Sequence, residues 1–117
     1  MNIDEFKDLA ERIIDECYAT VGDKSEYTKE EGVKIFSSLP EVLTRNINID
    51  MDLLFLLQGA IDNRMNRYAK KFLTTDAKLE GMIIAYTVSV LEATGKAPHG
   101  FGVKVLHRSN LEGMTRN

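Results

Sequence analysis

The segment from residue 76 to 94 most constrains what this chain can fold into. Its Leu79, Met82, Ile83, Ile84, Tyr86, Val88, Val90 and Leu91 cover nearly the whole circumference of a helix. A helix apolar on every flank has no side to offer to water, so it must be central or sealed by a second chain. Gly81, Ala85 and Ser89 recur every four residues along it. A line of small side chains lets another helix backbone approach closely, so these three are read as an interface.

Other helices follow from spacing. Ile3, Phe6, Leu9, Ala10, Ile13, Ile14, Cys17, Tyr18 and Val21 recur at three and four and predict an amphipathic helix over 3–21. Asn2 and Glu5 can form its capping box, and Gly22 can end it. Thr28 and Glu31 repeat the capping pattern before Val33, Ile35, Phe36 and Leu39, which form the apolar side of a short helix. Pro40 must end that helix or begin another turn. Asp50 or Asn48 can cap a long helix over about 51–73, with Leu53, Leu54, Leu57, Ala60, Ile61, Met65, Tyr68 and Phe72 inward, and Phe55 and Leu56 widening the apolar side. After Gly95, residues 97–102 form a turn-rich loop and Val103 to Leu106 read as one short extended segment.

The expected fold is therefore all-α or nearly so: a small bundle of three long helices and one or two short ones, with a short extended C-terminal segment. One domain over 1–108 and a flexible tail over 109–117 fit 117 residues, too few for two independent cores. A lone strand needs a partner, which joins the small-residue flank in pointing to a homodimer.

Charge and cysteine bound the function. Net charge is −3, which gives no electrostatic support to a general nucleic-acid coating role. Residues 1–60 carry −7 and residues 61–117 carry +4, which permits attraction between the halves or a basic patch. Cys17 is the single cysteine, so no intrachain disulfide can form and a reducing cytoplasm is the expected compartment. Asp4 and Glu5 stand where an export signal would carry bases, and the uncharged stretch from Gly81 to Leu91 is too short to cross a bilayer that needs about 20 residues. No membrane insertion is expected.

Catalytic signatures are lacking. One cysteine and two histidines cannot supply a structural zinc site, and Cys17 sits late in a helix near Asp15 and Glu16, where a thiolate is disfavoured. No phosphate loop or nucleophile elbow occurs. No catalytic residue, metal or cofactor is therefore assigned. An acidic stripe, Asp4, Asp8, Glu11 and Asp15, is similar to the Mg²⁺-holding faces of all-helical nucleoside triphosphate pyrophosphohydrolases. That chemistry needs a second acidic cluster, and Asp52, Asp62, Asp76, Glu80 and Glu92 are scattered, so the stripe is read as a solvated face. Arg64, Arg67, Lys70 and Lys71, with Arg108, form a basic set able to contact anions.

These readings favour a non-enzymatic binding or regulatory protein that acts on another protein. The order of long helices, then Lys71-Phe-Leu-Thr-Thr-Asp76 opening a last apolar helix, then a glycine-containing tail, resembles small helical bacteriocin-immunity proteins over roughly 30 residues. The resemblance implies an immunity- or inhibitor-like accessory protein of a bacterium or phage, although that family is usually basic. The alternative is a protein or enzyme handling a nucleotide or other phosphorylated ligand through the basic set.

Overall fold

The computed structural model describes residues 1–69 and 75–107, with the side chains at 64–69 and 75–77 outside the description. Six helices follow one another: α1 (Ile3–Tyr18), α2 (Lys29–Ser37), α3 (Leu39–Ile47), α4 (Met51–Ala69), α5 (Thr75–Ala93) and α6 (Phe101–His107). The architecture is an all-α bundle, with no strand among the described residues.

Helix α5 is the axis. Every residue from Glu80 to Glu92 except Met82 is buried, and α5 packs against each of the other helices. The enclosure demanded by its apolar circumference comes from within one chain. Ile83, Val90 and Leu91 join Phe6, Ile13 and Ile14 of α1 and Leu43 of α3 in one continuous core. The T-shaped pair Phe6–Phe101, with centroids 5.5 Å apart, closes that core beneath α6.

Local chemistry sets the ends. Glu5 N–H donates to Asn2 Oδ1 at 2.8 Å, and Glu31 N–H to Thr28 Oγ1 at 3.1 Å; each glutamate carboxylate accepts in return from its cap's backbone. Helix α1 stops at Tyr18, three residues before its sequence-based end. The chain tightens there, with Val21 N–H donating to the Tyr18 carbonyl at 3.2 Å and the Thr20 hydroxyl to the Cys17 carbonyl at 2.7 Å, before Gly22 turns it at φ 86°. Ser38 closes α2 and opens α3 with Pro40 in the first turn, where a missing N–H costs nothing. Asp50 rather than Asn48 opens α4, its Oδ1 accepting from Asp52 N–H at 2.9 Å.

The C-terminal segment departs from the sequence reading. Residues 103–106, expected to be extended, lie inside α6. Phe101, Gly102 and Val105 are its buried residues, a helical spacing that reaches the core on one side only. The β-branched Val103 and Val105 suggested a strand; contact with α1 and α5 overrode that preference. The expectation of a lone strand seeking a partner falls with it, and the tail over 109–117 lies outside the described residues.

Asn48 supplies a direct check on this chain path. It ends α3 at φ 57°, ψ 49°, a left-handed conformation that asparagine and glycine tolerate better than residues with other side chains. Asn48→Ala should lower stability by about 1 kcal/mol in urea unfolding, and Asn48→Gly should stay within a few tenths of the parent.

Candidate functional site

The residues singled out from sequence fall into three groups. Arg64 and Arg67 lie in α4 with side chains outside the description, and Lys70, Lys71 and Arg108 lie outside the described residues altogether. Gly81, Ala85 and Ser89 are all buried in α5 against the chain's own helices; Ala85 is 2% and Ser89 0% exposed. Close approach along that flank is therefore met within one molecule. The acidic residues Asp4, Asp8, Glu11 and Asp15 are exposed on α1. Among the described residues no group of three or more His, Cys, Asp or Glu could hold a metal ion.

Cys17 is fully buried on the inner face of α1. Burial pushes its thiol from the ordinary 9.0 up to about 11; the Ser38 hydroxyl opposes this, nearby Glu16 adds to it and Arg45 opposes it. The native thiol is thus un-ionised through the physiological range. His99 and His107 are exposed.

Two surfaces that spacing did not reveal stand out. The first is on α4. Its Leu54 and Ile61 are buried, yet Leu53, Phe55 and Leu56 expose 42%, 63% and 83% of their surface. The neighbouring Gly59 and Ala60 are also exposed, and a Cβ added at Gly59 would meet nothing within 4 Å. Five consecutive apolar residues, Leu53 to Leu57, turn through more than one full circle at about 100° per residue, whereas the bundle covers only the side bearing Leu54. The uninterrupted run was the available signal, because a helix with one packed side cannot bury all five.

The second is a groove of about 590 Å³ between α2 and α5, floored by Val33, Phe36, Leu79 and Met82. Val33 belongs to the apolar set of α2 but is 60% exposed there. Behind the groove, Phe36 meets Tyr86 edge-on at 6.1 Å. The Tyr86 hydroxyl donates to Gln58 Oε1, and Gln58 Nε2 donates to Asp62 Oδ1 at 2.9 Å, joining α5 to α4. Burial, aided by the Asp62 carboxylate, holds the Tyr86 phenol above its ordinary value, with the Gln58 bond opposing.

No protein-family model matches the chain, and no match to a curated protein or a solved structure was found.

The thiol offers a pH test. Below about pH 9 both native and unfolded Cys17 hold their proton; between 9 and 11 the unfolded chain releases it while the native one keeps it. Stability should fall with rising pH across that window, and Cys17→Ala should remove part of the slope in urea midpoints. At pH 8, alkylation by iodoacetamide should be slow in the native protein and fast in denaturant.

Proposed function

We propose that this chain is a small cytoplasmic, non-enzymatic binding protein that acts through protein–protein contact, as an immunity- or inhibitor-like accessory protein does. The observation that carries the proposal is the exposed start of α4, where Phe55 and Leu56 stand 63% and 83% exposed beside Gly59. Large aromatic and aliphatic side chains held out on a rigid helix are the usual anchors of an interface. Gly59 leaves room for a partner's backbone to approach between them. The homodimer is proposed on this same face, since the small-residue flank of α5 is already covered.

A cytoplasmic setting agrees with a single buried cysteine. No helix among the described residues is long and apolar enough to cross a membrane.

The test places a photo-crosslinking residue at position 56 in the native host and a control at Asp8 on the exposed face of α1. A discrete adduct from position 56 that disappears in Phe55→Asp is expected. Light scattering should show a mass that rises with concentration from 13.2 kDa to twice that value, with Leu56→Asp staying monomeric. Both substitutions fall on exposed positions, so their stability should change by less than about 1 kcal/mol. Absence of any adduct above the control, together with a constant 13.2 kDa mass, overturns the proposal.

A further inference from the structure

We propose that the groove between α2 and α5 binds a fatty carboxylate, whose alkyl chain lies on Val33, Phe36, Leu79 and Met82 and whose head group meets Lys29 and Lys78. This site is separate from the α4 face and does not depend on it.

Three observations converge on that ligand chemistry. The first is the groove's size and lining. About 590 Å³ falls within the range of small-molecule sites, and its floor is aliphatic and aromatic. Phe36 packs edge-on against Tyr86, and Phe36 and Leu79 both pack against the core.

The second is charge. Lys29 and Lys78 line the groove, and among the described residues no carboxylate does. Both lysines are exposed, and neither takes part in an ion pair among the described residues. Two ammonium groups outside any ion pair among the described residues thus stand beside an apolar floor, in a chain of net charge −3. An amphiphile with a single negative end matches that arrangement, whereas a neutral or cationic one does not.

The third is Gly32. It lies within α2, where glycine costs about 0.5–1 kcal/mol relative to alanine. Nothing in the fold asks for it: its φ is not positive, and an added Cβ would meet nothing within 4 Å. What the missing side chain does is keep the groove open, because Gly32 is part of its wall.

The test uses the full chain with dodecanoate below its micelle concentration, read by isothermal titration calorimetry and by the ¹³C shift of a labelled carboxyl group. Saturable binding of one dodecanoate per chain is expected, with dodecanol at least about tenfold weaker. The double substitution Lys29→Gln and Lys78→Gln should bring dodecanoate down to the alcohol's level, and added salt should weaken the parent. Gly32→Leu should cut dodecanoate affinity by about tenfold or more through filling the groove. Its melting temperature should equal or exceed the parent's, because leucine is the better helix former.

A parallel arm uses vesicles of neutral phospholipid with and without an anionic one. Dodecanoate binding without vesicle binding supports a soluble ligand. Binding to anionic vesicles alone overturns it in favour of a membrane surface. Equal affinity for dodecanol, or a Gly32→Leu variant that binds as well as the parent, overturns the placement. A protein adduct from a photo-crosslinker at Val33 that dodecanoate does not displace shows that the groove's occupant is a polypeptide instead. Failure here leaves the α4 proposal untouched, since Leu56→Asp alters none of the groove's residues.

Discussion

The structure depends on the removal of the stretch 80–92 of α5 from water on every flank but the one that bears Met82. Aligned aliphatic residues around a whole helix leave the chain no arrangement in which that helix is an outer member, so the others must ring it. Two of the polar residues caught in the same enclosure find partners, which matters because an unpaired buried hydrogen-bonding group costs about 1–3 kcal/mol; the Ser89 hydroxyl has none among the described residues. Thr87 returns its hydroxyl to the Ile83 carbonyl at 2.7 Å. Glu92, 6% exposed, accepts from Gly100 N–H at 2.8 Å, and so ties the turn before α6 to the axis. Arg45 and Asn46 of α3 both reach Glu16 of α1, at 2.9 and 2.6 Å, an outer clasp of modest worth compared with the apolar packing beneath it.

Much of this was legible from residue order. Capping chemistry is local, which is why Asn2 with Glu5 and Thr28 with Glu31 marked two helix starts correctly. Apolar periodicity located α1, α4 and α5 because each repeats over several turns. The short C-terminal helix was missed, since seven residues hold too few turns for a period to show, and two valines invited a strand. Exposure was the harder quantity. Val33, Phe55 and Leu56 are apolar by type, yet which apolar residues remain uncovered depends on where neighbouring helices end, and that is a property of the assembled bundle. The small residues Gly81, Ala85 and Ser89 show the converse: their spacing did mark close packing, but spacing does not say whether the approaching helix belongs to the same molecule.

The two candidate surfaces differ in kind. On α4 the apolar groups project from a convex helix and suit a broad, complementary protein face. Between α2 and α5 they line a concavity with positive charge at its edge and suit a smaller guest. Tyr86 stands behind both, touching Phe36 on one side and Gln58 on the other.

Among the helices, α2 is anchored least: Ile35 is its one buried residue, and Lys24, in the loop before it, braces Glu31 in an exposed ion pair. An element secured by so little apolar contact detaches at a small fraction of the free energy needed to unfold the whole chain. Protection from solvent is therefore uneven across the bundle. The amides of α2 should exchange with solvent sooner than those of the buried stretch 80–92 of α5, and the wall that bears Gly32 lies on the less protected of the two helices.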